Sequence, residues 1–345
     1  MKRKIFLAIF VVLCMALSVA LVSCGCNQEN ANSSASSQDG GNHDNHNHGN
    51  TGNNTNNGTN NGTNNGTNNA PTEDDGRTNK DSIALNKAES QGLDLRLSQD
   101  STYYIVYGVG ECRDAEIVIP KQFEGLDVKE VAANAFYENT SVRGVVLSAN
   151  VKAVGEKAFY GCTNLSFVIV RTGLETLGEE AFSRCSNLSR IAVEKGNKAF
   201  TSYDGVLYTS DSKTLLFYAS GRTEQSFTVP SSVTKIAQRA FIENSHIKKV
   251  TLGQGVTTIE NSAFFGCDNM EEIVLPSGLK TIEACAFFFC TSLKSVSIPA
   301  SVVNMGSGAF GNCFALEKIY VDLAVIPSSW EGGWDYDGAL VELKK

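Results

Sequence analysis

The chain has 345 residues and a formal net charge of −8 at pH 7, with 37 acidic side chains against 29 basic ones. This length is ample for a continuous hydrophobic core. Beyond its first few residues the chain has no block of clustered lysine and arginine, which a nucleic-acid-binding surface requires. No nucleic acid is therefore expected among its partners.

Residues 1–23 have the form of an export signal. A Lys-Arg-Lys triplet at positions 2–4 precedes an apolar stretch over residues 5–21, a pattern that indicates a signal sequence and not a lasting membrane span. The stretch ends in Leu-Val-Ser-Cys, which looks like a lipobox, so the mature chain is expected to begin at a lipidated Cys24. Two acyl chains, at about 0.8 kcal/mol per buried CH₂, anchor a protein stably to a membrane. The alternative is an ordinary cleaved signal in which Cys24 occurs by chance.

Residues 24–81 are dominated by Asn, Gly, Thr, Ser and His, with a period of four over residues 55–69. Such a segment buries too little apolar surface to offset its ordering entropy, so it is expected to form a disordered tether. A flexible coil of this length reaches roughly 40 Å. The tether contains three closely spaced histidines, His43, His46 and His48, which suggest weak Zn²⁺ or Ni²⁺ binding. Chance composition of an Asn/His-rich segment is the alternative.

The dipeptide Ala-Phe then recurs with a period of 23, which predicts a solenoid of stacked units. Ten and twelve residues after each Ala come two aliphatic positions, such as Val168 and Val170, which indicate a short strand with one buried face. The phenylalanines are expected to fill the core. The pairs are Ala135-Phe136, Ala158-Phe159, Ala181-Phe182, Ala240-Phe241, Ala263-Phe264, Ala286-Phe287 and Ala309-Phe310.

Cysteine is also periodic, because five of the ten cysteines occupy the position four after Ala. Asparagine takes this position in the remaining two copies, as Asn139 and Asn244. Side chains that project in parallel from stacked units fit disulfide geometry poorly. A ladder of buried free thiols is therefore expected at Cys162, Cys185, Cys267, Cys290 and Cys313. The states of Cys112 and Cys285, which lie off the ladder, stay open.

The repeat is interrupted between Phe182 and Ala240, and the insert covers about residues 196–226. Two alternating apolar runs, at positions 206–208 and 215–218, flank a turn-forming Ser-Asp-Ser-Lys, which predicts a β-hairpin. The hairpin either protrudes as a recognition element or pads the edge of the sheet, and padding is the favoured interpretation.

The repeats resemble the BspA-like class of bacterial leucine-rich repeats. The resemblance rests on segments such as VTLGQGVTTIENSAFFGCDNM and VSIPASVVNMGSGAFGNCFAL, and on residues 103–136, which look like that family's usual first repeat. It implies an α/β solenoid over residues 101–325, a right-handed coil with a parallel sheet on its concave face and short helical or irregular segments on its convex face. Residues 326–345 break the pattern, and Trp330 and Trp334 are expected to cap the core.

Outward strand positions on the concave face are where a solenoid typically binds a partner. Exposed aromatic and arginine side chains there are candidate hot spots, although scattered exposed apolar residues are also normal. A stripe of aromatic residues two after each Ala is a second candidate, explained more simply by packing between coils. The predicted concave-face ligand residues are Phe167, Ile169, Arg171, Arg190, Lys249 and Tyr320.

Catalytic motifs are missing from the sequence. Only His246 lies in the folded part, and neither a P-loop nor a G-x-S-x-G or H-E-x-x-H motif occurs. No enzyme activity and no cofactor are therefore expected.

Members of the BspA-like family are typically cell-surface proteins implicated in adhesion. The resemblance therefore implies a lipoprotein on the extracytoplasmic face that binds a protein or glycan of a host or neighbouring cell. A structural, envelope-organising lipoprotein is the first alternative, and a metal- or solute-capturing lipoprotein the second. The oligomeric state stays open.

Overall fold

The computed structural model describes residues 86–335 and 338–344. The expected signal over residues 1–23, the lipidated Cys24, the tether and its His43, His46 and His48 lie outside the described residues. Within the described ranges, no helix is long and apolar enough to cross a membrane.

The described chain folds into short β-strands joined by turns. In chain order the strands are β1 (Asp94–Leu97), β2 (Tyr104–Gly108), β3 (Glu116–Val118), β4 (Gln122–Phe123), β5 (Leu126–Val131), β6 (Gly144–Leu147), β7 (Ala153–Val154), β8 (Phe167–Val170), β9 (Thr176–Leu177), β10 (Arg190–Val193), β11 (Phe200–Tyr203), β12 (Val206–Thr209), β13 (Thr214–Phe217), β14 (Ser226–Thr228), β15 (Lys235–Ile236), β16 (Lys249–Thr251), β17 (Thr258–Ile259), β18 (Glu272–Val274), β19 (Thr281–Ile282), β20 (Ser295–Ile298), β21 (Asn304–Met305), β22 (Lys318–Val321) and β23 (Leu340–Leu343).

Two sets of parallel strands run along the solenoid. The front sheet contains β3, β6, β8 and β10, and after an interruption β14, β16 and β18, then β20, β22 and β23. The back sheet contains β2, β5, β7 and β9, and then β13, β15, β17, β19 and β21. Paired residues in neighbouring coils are one repeat period apart, as where Val145 pairs with Val168 and Val168 with Ile191. The predicted unit is therefore one coil of a β-solenoid.

The repeated phenylalanines stack as a ladder through the core, as predicted. Neighbouring ring centroids are between 4.6 Å and 5.6 Å apart. Such separations are within the range of favourable aromatic pairs. The core nevertheless consists of two clusters. The N-terminal core contains Phe136, Phe159 and Phe182, and the C-terminal core begins at Val206 and ends at Trp330 and Trp334.

The expected helical segments are absent from the described residues, which corrects the α/β assignment. The segment around each Ala-Phe pair, here called the return turn, runs from the residue before Ala to the third residue after it. Both end residues of every return turn have φ between +51° and +70°. A helix needs consecutive residues near φ of about −63°. A left-handed residue at each end therefore prevents the return turn from forming a helix. The return turns are residues 134–138, 157–161, 180–184, 239–243, 262–266, 285–289 and 308–312.

Changing Glu138 to glycine is expected to stabilise the protein by about 0.5–1 kcal/mol. Glu138 ends the first return turn at φ 53°, a position that Gly161 and Gly266 occupy in other coils. A non-glycine residue in this conformation costs roughly 1–2 kcal/mol, partly offset by the greater unfolded-state entropy of glycine. Urea denaturation would measure the gain. Glu138→Ala removes the same side chain without relieving the backbone, so an equal gain in that variant would contradict the explanation.

The cysteine ladder lies in the core and its thiols are free, as predicted. Each thiol donates a hydrogen bond to the carbonyl oxygen of the phenylalanine in the preceding coil, with Sγ–O distances between 2.9 Å and 3.2 Å. Burial raises the pKa of the Cys290 thiol well above its usual range, which disfavours the reactive thiolate. Where Asn244 replaces cysteine, its Oδ1 instead accepts the backbone N–H groups of His246 and Ile247.

The interruption is an enlarged coil that contains the predicted hairpin, β12–β13. Tyr218 lies one repeat period before Phe241, and its N–H donates to the Ala240 carbonyl as repeat phenylalanines do. Phe217-Tyr218 thus replaces Ala-Phe in this coil. The hairpin belongs to the solenoid: β13 pairs with β15 of the back sheet, and its residues divide between the two cores. The region where this coil lies between return turns 180–184 and 239–243 is called the seam.

Candidate ligand-binding face

The outer surface of the front sheet carries the strand residues that do not enter the core. The register aligns them in two columns. The first column contains Glu116, Gly144, Phe167 and Arg190, and later Ser226, Lys249, Glu272, Ser295 and Lys318. The second contains Val118, Val146, Ile169 and Ala192, and later Thr228, Thr251, Val274, Ser297 and Tyr320. Five of the six predicted ligand residues lie in these columns, and Arg171 directly follows β8.

Phe167 and Ile169 point away from the core, as the alternation predicts, but they are buried and not exposed. Their side chains are 2% and 3% exposed, and with Val118 and Val146 they form a separate apolar cluster. The ring of Phe167 lies over Gly144 of the neighbouring strand, where a Cβ would collide with it. The missing side chain of Gly144 therefore leaves the space that the ring occupies. The expectation that these two side chains are exposed is therefore wrong.

Arg171 directly follows β8, Arg190 begins the neighbouring strand β10, and both are half-buried. An Arg171 guanidinium nitrogen is 3.8 Å from a carboxylate oxygen of Glu194. The aliphatic part of Arg190 packs against Gly205 in the turn between β11 and β12, where a Cβ would lie 2.7 Å from its Cγ. Arg171 thus links neighbouring coils and Arg190 packs within the enlarged coil, and their predicted contact with a ligand stays a prediction.

Lys249 lies on the exposed C-terminal half of the face. Its Nζ is 2.8 Å from Glu272 on the adjacent strand, and Lys294 and Glu271 approach to 2.6 Å. Hydrogen bonding to Lys294 lowers the pKa of Glu271, which keeps this carboxylate charged. This half of the front face is therefore polar and largely charge-balanced.

Tyr320 lines a groove of about 450 Å³ near the C-terminal end of the front sheet. The tyrosine and Leu343 are each 40% exposed, and both are among the apolar residues that line the groove. Lys318 Nζ lies 5.8 Å from the Tyr320 ring centroid and 2.9 Å from a carboxylate oxygen of Glu342. That hydrogen bond raises the pKa of Lys318, so the lysine stays a cation beside the ring.

Sequence reasoning did not identify Ser297, Glu342 or Leu343 as groove residues. Ser297 is the outward residue directly opposite Tyr320 on the neighbouring strand, so the repeat period could have located it. Glu342 and Leu343 belong to β23, which adds a strand to the front sheet inside the segment expected to be only a cap. The largely apolar sequence Leu-Val-Glu-Leu could have indicated this strand.

The structure also bears on His246 and on metal binding among the described residues. His246 is exposed on a turn, and its backbone N–H donates to Asn244 Oδ1 at 3.1 Å. Across the described ranges no cluster of three or more histidine, cysteine, aspartate or glutamate side chains has an arrangement that could hold a metal ion.

The repeats match the family described as the BspA type leucine rich repeat region, in six copies over residues 129–208 and 210–329. More than half of the chain is matched, and the chain belongs to this family. The family assignment from the sequence is thus confirmed. A search of the curated proteins found no match.

Several solved structures are similar in fold. The pneumococcal vaccine antigen PcpA is 22% identical with a TM-score of 0.55, over 72% of each chain. A leucine rich cell surface protein of Faecalibacterium prausnitzii is 19% identical with a TM-score of 0.45, over 76% of this chain and 96% of that one. A leucine rich repeat protein of T. pallidum is 25% identical with a TM-score of 0.39, over 67% of this chain and 90% of that one. The likeness to PcpA supports the β-solenoid fold alone.

Proposed function

We propose that this chain is an exported, lipid-anchored surface protein whose solenoid binds a protein or glycan partner through the front face. Membership of the BspA type family, the signal pattern and the lipobox-like sequence before Cys24 support the location. The groove beside Tyr320 is the observation that carries the binding role. It combines a half-exposed aromatic ring with polar groups in a concave site, which is the usual make-up of a ligand-binding surface.

The groove offers three kinds of contact to a partner. The Tyr320 ring presents a face for a sugar ring or a side chain, and its hydroxyl supplies a polar end. Ser277 and Ser297 line the same groove with hydroxyl groups that both donate and accept hydrogen bonds. Asp322, Glu342 and Lys344 form its charged edge. Polar groups around a small apolar surface suit a glycan or an extended polar peptide.

The alternative is an envelope-organising lipoprotein without a discrete ligand. The paired charges on the front face favour it, because Lys249, Glu272, Lys318 and Glu342 already have partners within the chain. Metal capture by His43, His46 and His48 and acylation of Cys24 remain predictions.

Tyr320→Ala is expected to weaken partner binding by about tenfold or more, the effect typical of a central aromatic contact. The full chain would be screened against extracellular-matrix proteins, mucins and glycans, and the affinity of any saturable hit compared between variants. Tyr137→Ala is the matched control, because Tyr137 is 45% exposed but lies on a return turn. Unchanged affinity in a folded Tyr320→Ala variant would refute the groove as the binding site. A folded chain that binds nothing in the screen would favour the envelope role.

A further inference from the structure

The seam contains a half-open cavity of about 240 Å³ away from the front-face groove. Its floor is apolar and comes from both sides of the interruption: Phe182 from the third return turn, Phe200 from β11, and Leu216 and Phe217 from β13. Its rim carries Glu179, Glu180, Arg239 and Glu260. No residue that lines the cavity lines the groove beside Tyr320.

The cavity exists because the enlarged coil departs from the repeat. Phe217 occupies the place of the small alanine, and its ring is tilted by 54° against Phe182 at a centroid distance of 6.2 Å. Return turns 180–184 and 239–243 are meanwhile held together across the seam by side chains. Glu180 contacts Arg239 at 2.5 Å, and Arg184 makes two hydrogen bonds of 2.9 Å to Glu243. These ion pairs bridge the seam without filling the space beside the apolar floor.

One carboxylate of the rim makes only a long ion-pair contact. Glu180 binds Arg239, and Glu260 binds Lys235 at 2.9 Å and accepts the backbone N–H of Gln238 at 3.0 Å. Among the contacts of the described residues, the carboxylate of Glu179 has an approach of 3.9 Å to Arg239, and its side chain is 72% exposed. A ligand cation could therefore be paired at Glu179 without breaking a close ion pair.

We infer that the seam cavity binds a small primary amine carrying an aromatic ring. The volume is below the roughly 300–1,000 Å³ of pockets for drug-sized ligands, and it suits one ring on a short alkyl chain. The ring would contact Phe217 and Leu216, and the ammonium group would lie at Glu179. This site is independent of the proposed front-face binding, because it lies at the back of the interruption and uses other residues.

The test uses the full chain and the probe 2-phenylethylamine, followed by isothermal titration and by saturation-transfer NMR. The uncharged 2-phenylethanol and the anionic phenylacetate have the same ring and serve as matched probes. Saturable binding of the amine is expected, about threefold to fivefold tighter than the alcohol, since an exposed ion pair is worth at most about 1 kcal/mol. Phenylacetate is expected to bind most weakly.

Two variants locate the site. Glu179→Gln should remove the preference for the amine over the alcohol, whereas Glu175→Gln, an exposed glutamate outside the cavity, should retain it. Ala237→Leu should abolish binding of all three probes by filling the cavity; if this variant fails to fold, Glu179→Gln decides. The inference is overturned if the amine shows no saturable binding up to about 10 mM, or if its preference over the alcohol survives Glu179→Gln.

Discussion

Replacing Phe264 with alanine is expected to lower the free energy of unfolding by about 3–5 kcal/mol. The Phe264 side chain is fully buried, and its ring stacks between Phe241 at 4.6 Å and Phe287 at 5.0 Å. The substitution leaves a cavity in the middle of the ladder and removes two ring contacts worth about 0.5–1.5 kcal/mol each. Coils of a solenoid contact only their neighbours, so the loss falls on the C-terminal core.

Trp330 and Trp334, the only tryptophans of the chain, both lie in the C-terminal core. Urea denaturation followed by tryptophan fluorescence therefore reports on that core, while far-ultraviolet circular dichroism reports on both. In Phe264→Ala the fluorescence midpoint should fall further than the dichroism midpoint. Phe265→Ala is the adjacent control, because Phe265 is half-buried on the outside of the return turn. A loss in Phe265→Ala as large as that in Phe264→Ala would contradict the core ladder.

The regular coils were predictable because all residues in one column of the repeat lie in the same environment. Alternating aliphatic residues identified the front strands, and the constant Phe identified the core ladder. One coil was not predicted because Phe217-Tyr218 replaces Ala-Phe there, although Tyr218 keeps the repeat spacing to Phe241. Short helical or irregular segments were expected on the convex face because the BspA-like resemblance implies them. Glycine marks some left-handed ends of the return turns, such as Gly161 and Gly266, but others are ordinary residues such as Glu138 and Arg184, whose type gives no signal.

The sequence predicted which side of the front sheet these side chains point to, but not whether they are exposed or buried. Strand alternation correctly placed Phe167 and Ile169 on the outer side of the front sheet. Burial of Phe167 depends on Gly144, which is one repeat period away in sequence and adjacent only through the strand register. The exposure of a side chain depends on its neighbours across the sheet. The outward columns must therefore be aligned by the repeat period in the same way as the inward columns. Tyr320 shows the opposite outcome, because it lies opposite the small Ser297 and stays partly exposed.

Arg222→Ala is expected to destabilise the seam by about 2–4 kcal/mol. The Arg222 side chain is 5% exposed; it donates to the backbone carbonyl and the carboxylate of Asp204, and to Glu224 at 3.0 Å. Its guanidinium carbon also lies 5.0 Å from the Tyr218 ring centroid. Both carboxylates are largely exposed, so most of the loss comes from the part-buried backbone contact and the ring packing. Arg222 thus ties the turn before β12 to the segment that precedes β14.

The consequence of Arg222→Ala should be a change in cooperativity as well as in stability. Arg222 lies where the two cores meet, and weaker coupling between neighbouring units of a solenoid separates their unfolding. The fluorescence and dichroism transitions, expected to coincide in the unmodified chain, should divide in this variant. Arg184→Ala is the matched control: it removes an exposed ion pair across the same seam and should cost less than about 1 kcal/mol, leaving the transitions coincident. Coincident transitions in Arg222→Ala would show that the two cores are coupled through other contacts, of which Leu216, packed against both, is the first to test.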